Sequence, residues 1–194
     1  MKLLFASDSF KGSLSSEQTV FLLTKAANEV FGECETSGVP VADGGEGTVE
    51  AVIGAENGTM IDVPVHGPLM EETTAHYGIF SDSKAVIEMA AASGLPMVPK
   101  EKRNPLNTTT YGTGELILDA LNRGYKDISI AIGGSATNDG GMGCARALGV
   151  KFLDSEGNEL EGFGRDLENI ASIDVSGLDP RIKDAKITVM CDVT

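Results

Sequence analysis

Apolar and polar residues follow one another over the first sixty positions in a pattern that predicts strands separated by helices. A short continuous apolar run at residues 3–6 is typical of a strand that is buried on both faces, and residues 39–42 are predicted to form a second short strand. Over residues 16–31 apolar side chains recur on one helical face, and the Ser-x-x-Gln pattern from Ser15 forms a capping box. A shorter helix is predicted over residues 48–53. This order indicates the opening of a parallel α/β sheet.

The pattern changes after Gly58, where strand-like segments follow one another without a helix between them. This order is typical of hairpins, so we place a domain boundary near residues 58–66 and expect a mixed sheet beyond it. We therefore divide the chain into residues 1–62 and residues 63–194. After Gly58 the predicted strands are 60–65, 73–80, 85–90, 128–132, 150–153 and 186–191. The predicted helices are 112–122 and 144–148, and 161–183 is predicted to be loop-rich.

Composition and charge exclude some classes of partner. The formal net charge is −14 at pH 7, aromatic residues make up 5% of the chain, and tryptophan is absent. Nucleic-acid binding relies on clustered Lys and Arg and on aromatic stacking, so we expect no nucleic-acid partner. A small anionic ligand is compatible with the charge, because such a ligand responds to the local field.

The spacing of the cysteines and the length of the apolar runs indicate the cellular compartment of the protein. The three cysteines are widely spaced and form no CxxC pattern, which fits a reduced interior. The N-terminal apolar run is too short for a signal peptide, and no run approaches the roughly 18 apolar residues of a membrane span. We expect a soluble cytoplasmic protein without a membrane partner.

Three aspartates stand at or just after the ends of predicted strands: Asp8, Asp43 and Asp192. The carboxyl ends of parallel strands form the ligand crevice of α/β sheets. Carboxylates there can hold Mg²⁺ or accept a proton from a hydroxyl. An aspartate after a strand also commonly caps the next helix or turn, and this alternative is open for each of the three.

Two cations are candidates for binding an anion. Lys11 lies in the loop after the first strand, where its ammonium could reach a phosphate or a carboxylate. Arg103 and Asn104 begin a polar segment that continues to Thr110, in front of the helix predicted at 112–122. A solvated lysine and a well-capped loop are the structural alternatives.

Two glycine-rich loops share a DGGxG pentapeptide, at residues 43–47 and 139–143, and each follows an apolar run. Exposed backbone amides before a helix N-terminus suit a phosphate, since both the amides and the helix dipole favour negative charge. Neither loop is a Walker A loop, and the GxGxxG pattern is broken by Arg146 in one and by Glu50 in the other. A nucleotide-dependent oxidoreductase is therefore disfavoured, while structural glycine turns stay open.

Histidine and cysteine chemistry is not indicated. His66 and His76 have no second ligand at metal-binding spacing, and no Ser-His-Asp arrangement can be assigned. We predict that Cys144 begins a buried helix.

Five motifs in order resemble the bacterial glycerate kinases of the first type. They are 8–13 (DSFKGS), 41–48 (VADGGEGT), 87–95 (IEMAAASGL), 108–115 (TTTYGTGE) and 133–141 (GGSATNDGG). The resemblance implies an α/β fold with a Rossmann-like parallel-sheet domain, a second inserted α/β domain with a mixed sheet, and an active site in the cleft between them. It implies chains about twice this length, so we expect a fragment whose first domain is completed by further sequence.

The activity that the resemblance implies is transfer of the ATP γ-phosphate to a hydroxyl of D-glycerate, with Mg²⁺. Which hydroxyl accepts the phosphate and which glycine loop holds ATP are open. As cleft residues it suggests Lys11, Asp43 and Asp192 for catalysis, the last two also for Mg²⁺; Asp8, Ser9, Arg103, Asn104 and Thr109 for the substrate; and Gly44, Gly45, Gly47, Gly133, Gly134, Ser135, Asn138, Asp139, Gly140 and Gly141 for phosphate. A non-catalytic ligand-binding or assembly fragment is the alternative, and a homo-oligomer is compatible with either.

Overall fold

The computed structural model describes residues 1–10, 13–41, 44–45 and 47–191. The chain opens with β1 (Lys2–Ser7), α1 (Ser16–Phe31) and β2 (Glu35–Pro40), and the two strands pair in parallel. At the start of α1 the Gln18 N–H donates to the Ser15 hydroxyl, and the Ser15 N–H donates to the Gln18 side chain. The predicted helix and its capping box are confirmed.

The remaining elements are, in chain order, α2 (Thr48–Glu56), β3 (Thr59–His66), β4 (Glu72–Phe80), β5 (Lys84–Glu88), α3 (Ala90–Ser93), α4 (Tyr111–Asn122), β6 (Asp127–Ala131), α5 (Met142–Ala147), β7 (Lys151–Leu153), β8 (Ser172–Asp174) and β9 (Lys186–Met190). Five of the strands form one sheet in the order β3-β4-β5-β6-β9. The β3-β4 and β4-β5 pairs are antiparallel, whereas β5-β6 and β6-β9 are parallel. The predicted mixed sheet is confirmed.

Helices cover both faces of the five-stranded sheet. On one face Tyr77, Ile87 and Ile128 are fully buried in a core that α4 completes with Leu116 and Ile117. On the other face α2 lies against β4 and β5. Gly78 makes this approach possible, since a Cβ there would collide with Ile53. Loops that leave this sheet are thereby placed next to the start of α2.

The first strands differ from the prediction. Leu4 is 66% exposed, so the prediction that β1 is buried on both faces is wrong. Val39 in β2 is also half-exposed. The strand predicted at 39–42 begins at Glu35 instead. Its first half is polar, because pairing with β1 needs backbone groups rather than apolar side chains. Ala42 lies outside the described residues.

Other boundaries shift by small amounts. The strand predicted at 85–90 ends at Glu88, because Ala90 begins α3. The helix predicted at 48–53 continues to Glu56. Within the loop-rich stretch, β8 pairs antiparallel with β7, a strand that the sequence pattern did not indicate because it is three residues long and exposed.

The division into residues 1–62 and 63–194 stays a proposal. β3 begins at Thr59 and pairs with β4 along its whole length, so it spans the proposed boundary. α2 precedes the boundary and packs on the five-stranded sheet. Among the described residues no helix is both long and apolar enough to cross a membrane.

Candidate functional site

A cleft of about 640 Å³ lies between the β1-α1 connection, the start of α2 and the carboxyl end of β5. Ser9 and Phe10 line it from the first connection, Gly47 and Glu50 from α2, and Gly134 from the second glycine loop. His76, Glu88, Ala90, Ala91 and Pro96 complete the wall on the side of the five-stranded sheet. Pockets of 300–1,000 Å³ hold small-molecule ligands, so the cleft has room for a substrate.

The two glycine loops are in direct contact. The Gly133 N–H donates to the Gly44 carbonyl oxygen at 3.0 Å. A Cβ at Gly133 would lie 2.7 Å from the Gly45 Cα, so only glycine lets the two backbones approach this closely. Gly44 also lies against the carboxyl end of β9, where a Cβ would be 3.2 Å from the Met190 carbonyl oxygen. Thus the ends of β6 and β9 meet the first loop.

The N-terminus of α2 is capped from another strand. Gly47 at the N-cap has a left-handed backbone and provides no side chain for capping. Instead Glu88, at the end of β5, accepts a hydrogen bond from the Val49 N–H at 2.8 Å. Glu88 is only 6% exposed, and this burial raises the pKa of its carboxyl above the usual value, although its hydrogen bonds to the Val49 and Thr48 backbone act in the opposite direction.

Two further titratable groups lie beside Glu88. His76 Nε2 lies 3.7 Å from Glu50 Oε1, and both side chains are partly exposed to the cleft. Glu50 raises the pKa of Glu88 and His76 lowers it, both less than burial does. In the described part of the chain no three His, Cys, Asp or Glu side chains are grouped as a metal site.

The second glycine loop is shaped by Asp139, which is 1% exposed. Its carboxylate accepts hydrogen bonds from the Thr110 N–H and hydroxyl, and from the N–H groups of Gly141 and Gly143. Gly140 and Gly141 have left-handed backbones that turn the chain toward the start of α5. Asp139 therefore caps α5 and ties the loop to the segment before α4.

The rest of this loop is more accessible. Gly134 is exposed, has a left-handed backbone and lines the cleft. The hydroxyls of Ser135 and Thr137 are 2.7 Å apart, and Ser135 also accepts from the Thr137 N–H. Asn138 is exposed. Only Gly134 of this loop lies among the residues that line the cleft.

The candidates for substrate binding are divided between the cleft and the interior. Ser9 lines the cleft, and its N–H donates to the Asp8 carboxylate at 2.6 Å. Thr109 is fully buried, and its hydroxyl donates to the Gly162 carbonyl at 2.7 Å. Its side chain therefore binds the protein's own backbone and does not reach the cleft.

Arg103 and Asn104 lie outside the residues that line the cleft. The Arg103 guanidinium donates to the carbonyl oxygens of Val98 and Leu95. The Asn104 side chain accepts from the Leu106 N–H. Both side chains stabilise their own exposed segment.

The three catalytic candidates, Lys11, Asp43 and Asp192, lie outside the described residues, and Asp192 is followed by two more such positions. Cys144 is partly buried in the first turn of α5, which begins at Met142 and not at Cys144 as predicted. Burial raises the pKa of its thiol to about 12, with a smaller contribution from Asp139. The thiol is therefore protonated at neutral pH.

Glu88 was not among the residues that the sequence indicated. The signal was present, since a charged residue ends the apolar run of residues 85–87 in the same way as an aspartate follows three other predicted strands. Glu88 can cap α2 only because α2 packs against β5, and the sequence around Glu88 does not predict this packing.

A family model described as "Glycerate kinase family" matches residues 3–194. Over the whole chain the sequence is 54% identical to Glycerate 2-kinase of Escherichia coli K12 and 52% identical to Glycerate kinase of Bacillus subtilis 168, and the match covers 51% of each. A crystal structure of putative glycerate kinase 2 from Salmonella typhimurium LT2 superposes with a TM-score of 0.86 at 49% identity, over the whole chain and 53% of that structure. The chain spans about half the length of the curated relatives it matches.

Proposed function

Since the chain belongs to the glycerate kinase family, we propose that it contributes the active-site half of an ATP-dependent kinase that phosphorylates a hydroxyl of D-glycerate. The observation that carries this proposal is the match over residues 3–194 with relatives that are named glycerate kinases. The cleft supports it, because two glycine loops and the carboxyl ends of parallel strands converge beside it. The resemblance read from the five sequence motifs is confirmed at the level of the family.

Phosphoryl transfer depends mainly on positioning and on neutralising charge. We assign the phosphate cradle to the backbone of Gly44, Gly45 and Gly47 together with Gly133 and Gly134. The close contact of the two loops at Gly133 supports one shared cradle, because it brings the backbones of both loops together. Asp139, Gly140 and Gly141 would contribute indirectly, because they fix the conformation of the second loop.

Mg²⁺ would be held by Asp43 and Asp192, where it would neutralise charge on the phosphates. Mg²⁺ sites of phosphoryl-transfer enzymes use one or two carboxylates and the substrate phosphates, so two aspartates are sufficient. The described neighbours of both aspartates support one shared site, because Gly44 lies against Met190. One of the two aspartates would accept the proton of the glycerate hydroxyl, and Lys11 would meet the transferred phosphoryl group.

The assignment of Arg103, Asn104 and Thr109 to glycerate stays a prediction from the family resemblance. Their side chains bind backbone groups of the protein itself. Asp8 and Ser9 are better placed for glycerate, since Ser9 lines the cleft. The cytoplasmic location and the oligomeric state also stay predictions.

The test is ADP formation in a coupled assay with ATP, Mg²⁺ and D-glycerate. Three proteins are compared: the 194-residue chain, the same chain fused to the C-terminal half of the E. coli relative, and that relative itself as the positive control. We expect glycerate-dependent turnover by the fused protein. No turnover by either form of this chain, with an active E. coli relative, would contradict the proposal.

The role of Asp192 is tested in whichever form is active. If Asp192 is the base, Asp192→Asn lowers kcat by about a hundredfold or more, within the range of acid–base catalysis. A change confined to KM would reject this role and leave Asp43 as the candidate.

A second function is supported by the length of the chain, which covers only about half of each curated relative. The 194-residue chain would then be a non-catalytic ligand-binding or assembly module. Calorimetry that shows ATP or D-glycerate binding without turnover supports this alternative, and turnover by the 194 residues alone excludes it.

A further inference from the structure

The buried carboxylate of Glu88 connects two elements that are distant in sequence. Glu88 ends β5, in the middle of the five-stranded sheet, and Val49 lies in the first turn of α2. The Glu88 Oε1 atom accepts the Val49 N–H at 2.8 Å, and both residues are buried. The hydrogen bond therefore joins the start of α2 to the carboxyl edge of the sheet.

The segment in front of α2 is held at its other end by the second loop. The Gly133 N–H donates to the Gly44 carbonyl oxygen at 3.0 Å. Gly133 lies two residues beyond Ala131, the last residue of β6, and Glu88 ends the neighbouring strand β5. The two contacts thus attach Gly44 and Val49 to adjacent strand ends.

Gly44 and Gly47 give the backbone in front of α2 little rigidity of their own. Gly44 and Gly47 both have left-handed backbones, and Gly47 offers no side chain to cap α2. A glycine-rich loop loses more conformational freedom when it is ordered than other loops do. An external acceptor such as Glu88 is therefore needed to hold the first turn in one place.

We propose that Glu88 is a positioning residue for phosphoryl transfer: by accepting the Val49 N–H it holds the start of α2, and the Gly47 that precedes it, against the edge of the five-stranded sheet. This role rests on the proposed function. Glu88 acts through the start of α2 and not on the substrate, so it is not a catalytic residue. What matters is the acceptor oxygen and not the full negative charge, and a glutamine at this position preserves the acceptor.

Hydrogen exchange tests whether Glu88 holds the start of α2, and this test requires no enzymatic activity. In the 194-residue chain, Glu88→Ala should speed exchange of the amides in the first turn of α2 by about tenfold or more, as expected for a locally weakened helix end. Glu88→Gln should stay within about threefold of the wild type. Tyr77→Phe is the control, because it removes the Tyr77–Asp119 hydrogen bond on the opposite face of the same sheet.

Unchanged exchange in Glu88→Ala, or an equal increase in Tyr77→Phe, would overturn the proposal. If Glu88→Ala does not fold, Glu88→Met replaces it, since methionine fills a similar volume without offering the acceptor.

Kinetics of the active form tests the role of Glu88 in phosphoryl transfer. Glu88→Ala should lower kcat by about tenfold or more with KM for ATP within about threefold, while Glu88→Gln restores kcat to within about threefold of the wild type. A glutamine variant as slow as the alanine variant would show that the charge itself is used, and would overturn the proposal. If the wild type shows no turnover, the proposed function fails, and the exchange experiment then decides separately whether Glu88 holds the start of α2.

Discussion

Two buried carboxylates accept hydrogen bonds from backbone N–H groups in the first turns of α2 and α5. Neither carboxylate belongs to the helix that it caps. Glu88 accepts from Val49 in α2, and Asp139 accepts from Gly143 in α5. The positive end of a helix attracts an anion, and here protein carboxylates take that place. The phosphate cradle that we propose therefore relies on loop amides in front of the helices and not on the first turns themselves.

Asp139→Ala should be strongly destabilising. It leaves the buried N–H groups of Thr110 and Gly143 without their acceptor, and we expect the free energy of unfolding to fall by about 3 kcal/mol or more. Urea denaturation measures this change. The control is Asp154→Ala, which removes a carboxylate that accepts turn N–H groups at an exposed site, and which we expect to lower stability much less. Similar losses in the two variants would contradict the structural role of Asp139.

Glu88→Gln should change stability in a pH-dependent way. Burial raises the pKa of the folded carboxyl, so the folded state binds this proton more tightly than the unfolded state. The contribution of Glu88 to stability is therefore largest below the unfolded pKa and is lost as the pH rises through the folded pKa. At pH 7 we expect a Tm for Glu88→Gln equal to or above that of the wild type, and a smaller difference toward pH 5. If the Tm of Glu88→Gln relative to the wild type is lower at pH 7 than at pH 5, the expected pH dependence is wrong.

At the scale of the elements, glycines let the two loops and the strand ends approach one another. The backbone of Gly133 touches Gly44 and Gly45, and Gly78 lets α2 lie on β4. These glycines act through the absence of a side chain, since neither Gly133 nor Gly78 has a left-handed backbone. The contact between the loops is therefore sensitive to a single methyl group.

Gly133→Ala tests this contact. Its Cβ would lie 2.7 Å from the Gly45 Cα and 2.9 Å from the Gly44 oxygen, so the loops must separate, and we expect a loss of about 1–3 kcal/mol. The control is Gly54→Ala in α2, where the nearest atom is a Glu17 side-chain oxygen at 3.9 Å. That change should raise stability by up to about 1 kcal/mol, because alanine favours a helix. Equal thermal shifts of the two variants would refute the close contact.

At the scale of the whole molecule, α1 does not bury its predicted apolar face. The predicted face consists of Val20, Leu23, Ala27 and Val30. Ala27 is buried and Val20 is partly buried, whereas Leu23 is 40% exposed and Val30 is 74% exposed. Phe21 is 68% exposed and lies nine positions before Val30, on the opposite side of a helix with 3.6 residues per turn. The helix therefore presents apolar side chains on two sides, and large exposed apolar patches promote association.

We expect the 194-residue chain to associate with increasing concentration. The double substitution Phe21→Lys and Val30→Lys should shift sedimentation toward the monomer with little change in Tm, because neither side chain is buried. Val175→Lys is the control, since Val175 is an exposed apolar residue far from α1 in the sequence, at 61%. If Val175→Lys shifts sedimentation toward the monomer as much as the double substitution does, the association does not depend on α1.

Much of the fold was predictable, because it rests on local patterns. The capping box of Ser15 and the periodicity of residues 16–31 defined α1 to the residue. Strands in the buried sheet were recognised from apolar runs, whereas β8 and the first half of β2 were missed because their side chains are polar or exposed. The candidate site was predictable only in part, since a glycine or an aspartate looks the same in sequence whether it faces a cleft or the interior.

The sequence by itself determined the family, the alternation of strands and helices, and the two glycine loops, because these depend on residue identity and spacing along the chain. Only the tertiary structure decided that the loops touch at Gly133 and Gly44, that Asp139 and Thr109 are buried against the protein's own backbone, and that Glu88 holds the start of α2. These contacts join residues 29 to 89 positions apart. Which of them form is determined by how helices and strands pack, and that information is spread over the whole chain.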